Sequence, residues 1–461
     1  AIIVYILIQS QIIYLCNNWL REKADEDAEE TVRRAVRKTV MPSLWCGATT
    51  LMGFMSLLFV SAEPLRQLGA GGSVAVIAAF LCYYGLFPAF LLLSKPSEKK
   101  QSEQKDRPRM AAFVSVIGAA GVIFALIMAV PGLFKLQTDP SIFSYFSDEG
   151  DIRKGLGVID QNGGSSPLQL VVSLKSGDQL DQKDAYEKLW ALHKDLDAYD
   201  QVGTVLSLPA LLAEANQHPL AFLLPWSEIV TLLSLDINQG VVENFLTDDR
   251  KQALFLLRMK KEGRDKPRLA VLADINAMAE KNGFRTELTG GVYFLQGQLA
   301  ALVSESLISG LVTLLVLFFG IAWFATRRGR LAIAMVLSAA VIPLISLGSV
   351  GQLQVPLDII SAPAISVSLG LAVDALIHLG LAVRRKAKSG ATKEIWKQAV
   401  AEQGGGILVS GGVIALGFLI FSLSGFPPTV RFGMMIVAGA ILSVFVSLAL
   451  FPLLSRFVLR E

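Results

Sequence analysis

Apolar residues in this chain gather into runs of about twenty, separated by short polar linkers and by one long polar block. Nine runs stand out: Ala1 to Leu20, Met41 to Ser61, Leu68 to Leu93, Met110 to Phe134, Val303 to Thr326, Leu331 to Val350, Ile360 to Val383, Gly405 to Ser424 and Val430 to Leu459. Each is long enough to cross a hydrocarbon layer of ~30 Å as a helix, which keeps every backbone hydrogen bond within the segment. The polar block, Lys135 to Leu302, has shorter periods. Leu168 to Leu174 and Ala253 to Met259 read as strands, and Asp184 to Ala198 and Arg268 to Asn282 as amphipathic helices, with turns at Gly163-Gly164 and Gly290-Gly291. The pattern predicts a polytopic α-helical membrane protein carrying one α+β domain. Leu208 to Trp226 is apolar but broken by Pro209, Pro219 and Pro225, so it is expected in the core of that domain or against an apolar substrate or partner.

The linkers set the orientation. Arg21, Lys23, Arg33, Arg34, Arg37 and Lys38 follow the first run, and Lys95, Lys99, Lys100, Lys105, Arg107 and Arg109 the third. Arg327, Arg328 and Arg330 come next, then Arg384, Arg385, Lys386, Lys388, Lys393 and Lys397. The intervening linkers carry almost no Lys or Arg, which places the basic ones in the cytoplasm and the polar block outside. The linkers Arg21 to Val40 and Arg384 to Gln403 mix charge with apolar residues at helical spacing and are expected as short helices on the membrane surface.

Composition agrees: 53% of residues are hydrophobic and mean hydropathy is +0.52, more apolar than a soluble globule. Cys16, Cys46 and Cys82 all lie in apolar runs and imply no disulfide framework. The polar block holds His193 and His218 but no cysteine, and neither histidine has metal-ligand spacing, so no metal, cofactor or enzyme constellation is expected. Asp248-Asp249 and the acids at 148, 149 and 151 read as turn or solvated-face residues. No phosphate-binding glycine loop occurs, which argues against ATP as the driving force. The basic residues border the spans, where orientation and anionic headgroups explain them and nucleic acid does not.

One apolar run carries chemistry. Asp374 lies near the middle of Ile360 to Val383, where a carboxylate costs at least ~2.5 kcal/mol and is expected to face protein or a water-filled path. His378, four residues on, shares its helix face, so the two could pass a proton.

An offset of 364 residues relates two stretches without a gap. It pairs Arg21 with Arg385, Val36 with Val400, Gly47 with Gly411, Gly53-Phe54 with Gly417-Phe418, Pro64 with Pro428, Gly69 with Gly433, Ile77 with Ile441 and Phe87-Pro88 with Phe451-Pro452. Two copies of one transmembrane unit are expected, an arrangement common in transporters with a site between repeats. The chain opens without Met inside a span, so it reads as the C-terminal part of a longer protein of about twelve spans, nine of them here.

The run Gly370-Leu-Ala-Val-Asp374-Ala-Leu-Ile-His378-Leu resembles the G-x-G-V-D-Y-x-I-H-L stretch of RND (resistance-nodulation-division) superfamily exporters, in the MMPL-like branch. Gly417-Phe418, Pro452 and the T-G-G-V at Thr289 to Val292 also match that pattern, and the resemblance covers essentially the whole chain from the family's fourth span onward. It implies proton-driven export of a hydrophobic or lipid-like substrate, Asp374 as the second-repeat relay carboxylate, His378 as a polar position beside it, and a porter-like outside domain. Membrane lipids, protons and that substrate are the implied partners, and a homo-oligomer is compatible with it. The implied location is a bacterial inner membrane, with the central domain on the periplasmic or extracellular side. Two departures stand out. Ala375 replaces the usual Tyr, and Ser10, flanked by Gln9 and Gln11, occupies the first-repeat equivalent of Asp374. Coupling would then rest on one carboxylate, with Ser10, Gln9, Gln11 and Tyr14 as uncharged hydrogen-bond partners or as interhelical polar contacts. Thr49 and Thr50 match the family's Thr before Gly-Phe and would face the relay or pack between helices. Alternatives are a transport-inactive lipid sensor or scaffold, and a protein-translocation helper.

The expected organisation is residues 1–109 as the end of the first repeat, 110–134 as the first span of the second, 135–302 as the extracytoplasmic α+β domain and 303–461 as the last five spans.

Overall fold

In the computed structural model the described residues are 2–22, 28–56, 58, 63–93, 108–215, 244–261, 263–388 and 395–459. They fall into two units, one formed by Ala1–Gln137 with Val303–Glu461 and the other by Thr138–Leu302.

The first unit is helical. Its elements are α1 (Ile2–Arg21), α2 (Ala28–Ser56), α3 (Glu63–Leu92) and α4 (Pro108–Leu133) before the second unit. Seven helical stretches among the described residues are long and apolar enough to cross a membrane: Gly69–Leu92, Val116–Leu133, Val292–Thr326, Gly329–Gln352, Pro363–Ala387, Ile395–Leu423 and Pro427–Arg456. The other two expected runs form α1 and α2, and in α2 the Ser, Thr, Gly and Pro residues between Pro42 and Gly53 dilute the hydropathy.

The basic linkers depart from expectation. The described part of the first, from Ala28, is not a separate surface helix but the opening turns of α2, which runs unbroken through Pro42. Ile395–Gln403 likewise opens the helix Ile395–Leu419. Continuing the helix leaves no additional unpaired termini, and Glu29 and Glu30 suit the positive end of the α2 dipole. Residues 23–27 and 389–394 of these linkers lie outside the described set.

Glycine sets one helix crossing. A Cβ on Gly132 of α4 would lie 1.9 Å from the Gly348 carbonyl oxygen, and one on Gly351 would lie 1.9 Å from that of Gly132. Only glycine allows backbones this close, the small-residue packing that membrane helices use where apolar burial gives no drive between them.

The second unit contains α5 (Asp151–Gln161), β1 (Ser166–Leu174), α6 (Lys183–Asp197), β2 (Val202–Ser207), α7 (Leu208–Ala215), β3 (Gln252–Met259), α8 (Arg268–Lys281) and β4 (Phe284–Gly290). The sheet order is β2-β3-β1-β4 with every neighbour antiparallel, the split βαβ topology of ferredoxin-like domains. Alternation builds its core: Leu168, Leu170, Val172 and Leu174 of β1 face inward beside Phe255, Leu257 and Met259 of β3. Leu189, Leu192 and Leu196 of α6 and Val271 and Ile275 of α8 complete it.

The edge strands β2 and β4 and helix α5 were not among the expected elements; β4 has one fully buried position, Phe284, and so little alternation to read. Of Leu208 to Trp226, the part up to Ala215 forms α7, with Leu208 and Leu212 in the domain core, and 216–226 lies outside the described residues. Asp139 ties the start of this unit to α8 by ion pairs with Arg264 and with the buried Arg268. Gly291, at φ +95°, permits the turn from β4 into the next helix, and a Cβ there would strike the Pro167 carbonyl oxygen at 2.7 Å.

After β4 come α9 (Val292–Thr326), α10 (Gly329–Gln352), α11 (Pro363–Lys388), α12 (Ile395–Leu419), α13 (Pro427–Phe445) and α14 (Phe451–Leu459). Helix α9 starts at Val292, well before the Val303 read from hydropathy. A π-helical segment, Val446–Leu450, joins α13 to α14, whereas the repeat-equivalent stretch of α3 is regular α-helix.

Candidate functional site

Among the described residues, helix α11 is the most enclosed of the spanning helices. Asp374 and His378 lie in it at 3% and 1% exposure, a depth at which an ionisable side chain needs a specific partner or water. Neither carboxyl oxygen of Asp374, nor Nε2 of His378, has a hydrogen-bond partner among the described residues. The Cys46 thiol of α2 and the Ser10 hydroxyl of α1 face the carboxyl. Cys46 also directs its thiol at the Asp374 backbone carbonyl, Sγ to O 3.8 Å.

The repeat offset organises this centre. Ser10 and Tyr14 are one turn apart on α1, as Asp374 and His378 are on α11, and Tyr14 is the repeat equivalent of His378. The Tyr14 and His378 rings stack with centroids 3.7 Å apart and planes inclined by 10°. Equivalent residues of the two repeats thus meet face to face, with Ser10 and Asp374 one turn away on each side. No hydrogen bond joins Asp374 to His378 among those described, so stacking on Tyr14 orients the imidazole.

Two cavities flank the carboxyl. One, of about 40 Å³, is bounded by Gln11, Ser43, Cys46, Thr50, Tyr83 and Asp374 among others. The other, of about 10 Å³, is bounded by Ser10, Tyr14, Ser410, Ser443 and, again, Asp374. Tyr83 of α3 donates to the Gln11 carbonyl at 2.8 Å and holds α1 against that wall.

Of the residues singled out in the sequence, Ser10, Gln11, Tyr14, Thr50 and Asp374 line these cavities, whereas His378 is stacked behind them. Gln9 and Thr49 line neither; Thr49 donates to the Cys46 carbonyl of its own helix at 2.7 Å. Sequence reasoning passed over Ser43, Cys46, Tyr83 and Ser410. The offset already pairs Cys46 with Ser410, small polar residues at matching places in two apolar helices, a signal that could have found both.

A second polar cluster lies where α1, α2 and α12 meet. The Asn18 amide donates to Thr39 Oγ1 at 2.8 Å, and Gln403 donates to Asn18 Oδ1 at 3.5 Å; Thr39 and Gln403 are repeat equivalents. Among the described residues no group of three His, Cys, Asp or Glu side chains is placed to hold a metal ion.

This fold, a bundle of membrane-length helices with a carboxyl buried where α1 and α2 meet α11, is that of a transporter-like multi-pass membrane protein. The MMPL family model matches residues 20–119 and 154–460, so the chain belongs to the MMPL family. Among curated proteins none matches the sequence. Three solved structures share the fold. SecDF, a translocon-associated membrane protein from Thermus thermophilus, aligns with TM-score 0.58 at 12% identity, over 100% of this chain and 54% of its own. SecDF in a super-membrane-facing form aligns with TM-score 0.54 at 13% identity, over 100% and 54%. The hedgehog release protein Disp from the water bear Hypsibius dujardini aligns with TM-score 0.59 at 12% identity, over 99% and 63%. The chain spans about half to three-fifths of the length of these proteins.

Proposed function

We propose that the protein is a proton-driven exporter of a hydrophobic or lipid-like substrate, that Asp374 is its coupling carboxylate, and that its α+β domain lies outside a bacterial inner membrane. The observation that carries this is a carboxyl without an ion-pair partner among the described residues, enclosed in the membrane unit and bordered by two cavities, one with room for water. In apolar surroundings the neutral carboxyl is tolerated, and its charged form needs water or a cation within reach. A change in access therefore changes the proton occupancy of Asp374, and proton occupancy in turn biases which packing of the helices is stable. Tyr14 and His378 act beside it as orienting groups, and Ser10, Gln11 and Thr50 as neutral hydrogen-bonding groups. The substrate class follows from family membership; Disp, a protein named for hedgehog release, and SecDF, named as translocon-associated, show how widely one fold serves.

One feature favours a second reading. Ser10 stands where the first repeat would place its own carboxylate, which suits a sensor or scaffold that no longer transports. Reconstitution of the full-length protein in liposomes, with internal pH followed on adding candidate lipidic substrates, separates the two. Substrate-dependent proton flux that is lost in Asp374→Asn is the expected outcome. Equal flux in both would remove Asp374 from the mechanism, and no flux in folded wild type with several substrates would favour the sensor.

A further inference from the structure

The two cavities beside Asp374 are themselves related by the repeat. Under the 364-residue offset Gln11 corresponds to Ala375, Ser43 to Ile407, Cys46 to Ser410 and Thr50 to Ile414, and each partner lines the other cavity. Asp374 borders both. We propose that these are twin chambers of which only the first-repeat one is hydrated, and that protons reach Asp374 through it, over water held by Gln11 and Ser43. This rests on the proton-coupling reading above.

Three observations carry it. The equivalent walls differ, because Gln11, Ser43 and Thr50 of the first chamber become Ala375, Ile407 and Ile414 in the second, whose polar groups are Ser10, Tyr14, Ser410 and Ser443 beside Asp374. Space differs as well. A buried water needs at least roughly 10–15 Å³ by this kind of measure, so the first chamber, at about 40 Å³, has room for more than one, whereas the second, at about 10 Å³, is at or below the limit for one.

Hydrogen bonding differs most. Gln11 Oε1, Ser43 Oγ and both Asp374 oxygens are buried without a partner among the described residues. Gln11 lies beside Cys46, and Ser43 beside the Tyr84 hydroxyl, which is likewise buried without a partner among the described residues. In the second chamber Ser443 is instead satisfied by its own helix, donating to the Ala440 carbonyl at 2.8 Å. Buried polar atoms in native proteins find protein or water partners, and the first chamber has both the atoms and the room. The repeat that lost its carboxylate at Ser10 thus supplies the water path to the carboxylate that remains.

Thiol reactivity tests hydration without requiring transport. In full-length protein in liposomes, with Cys16→Ala and Cys82→Ala and any other thiol replaced, one version keeps Cys46 and the other carries Cys46→Ser with Ser410→Cys. A small uncharged methanethiosulfonate at alkaline pH is expected to modify the first-chamber thiol at least tenfold faster than the one at position 410. Equal rates, or the reverse order, would overturn the proposal.

The combination Gln11→Ala, Ser43→Ile and Thr50→Ile gives the first chamber the lining of the second. It is expected to cut both Cys46 labelling and proton flux at least tenfold, while Ser43→Thr, which keeps the hydroxyl, retains both and controls for folding. Flux that survives after labelling is lost would overturn the route. Wild-type protein that labels as expected but carries no protons would overturn the coupling reading and its route, and would support the hydrated chamber alone.

Discussion

At the scale of single residues the centre depends on a stack. Tyr14 and His378 are both buried and lie face to face, so the imidazole is oriented by an aromatic surface and not by a carboxylate. Removing the Tyr14 ring should cost about 3 kcal/mol, combining the cavity it leaves with the lost stacking. Tyr14→Phe keeps the ring and is expected to unfold in mixed micelles near wild type, whereas Tyr14→Ala is expected to be clearly destabilised. If Tyr14→Phe were as damaging as Tyr14→Ala, the hydroxyl and not the stack would be the group that matters. The sequence disclosed Asp374 and its helix-face neighbour His378, because a midspan charge stands out against apolar residues. It could not disclose the stack, which joins residues 364 positions apart on two helices.

At the scale of elements the two repeats use one design with opposite charges. Glu22 pairs with Lys38, and Lys386 with Glu402 at 3.4 Å; Glu22 and Lys386 are equivalents under the offset, as are Lys38 and Glu402. The same joint, between the end of one helix and the start of the next, is therefore tied in both copies with the signs exchanged. Arg385 adds a second contact to Glu402 at 2.8 Å. Both pairs are partly exposed, so a coupling of about 0.2–1 kcal/mol is expected. Reversing Glu22 alone to Lys should lower stability, and Glu22→Lys with Lys38→Glu should restore it, a double-mutant cycle read by unfolding in detergent. Additive losses would mean that the pair is incidental. The linkers that form this joint were legible as helical from their periodicity. Their continuity with the spans was not, because periodicity marks a helix but does not say where it stops.

At the scale of the whole molecule the α+β unit carries its own pH dependence. Lys261 is buried, with its ammonium 5.9 Å from the Phe143 ring centroid, and burial lowers its pKa to about 8, opposed by Asp160 and assisted by Arg264. An unfolded lysine stays protonated to about 10.4, so between pH 8 and that value the unfolded chain binds more protons than the native one. The domain is therefore expected to become more stable as pH rises through this window, with the full penalty present below pH 8. Proteolysis in urea of the full chain, read on cleavage within residues 166–259, should show a higher midpoint at pH 9.5 than at pH 8, and Lys261→Met should flatten that difference. A midpoint that fell with pH in wild type but not in Lys261→Met would contradict the assigned burial.

Hydropathy, charge bias and the 364-residue offset determined the membrane class, the order of the spans, their doubling and the residue most in need of a partner. These are properties of contiguous segments, and a bilayer reads contiguous segments one at a time. Only the tertiary structure decided that Tyr14 lies on His378, that Ser43 and Cys46 of α2 reach the wall beside Asp374, and that one chamber is roomy where its twin is narrow. Those features depend on how helices far apart in the chain rotate and approach each other. Side-chain volume and backbone contact between helices set that geometry, and neither leaves a period in the sequence.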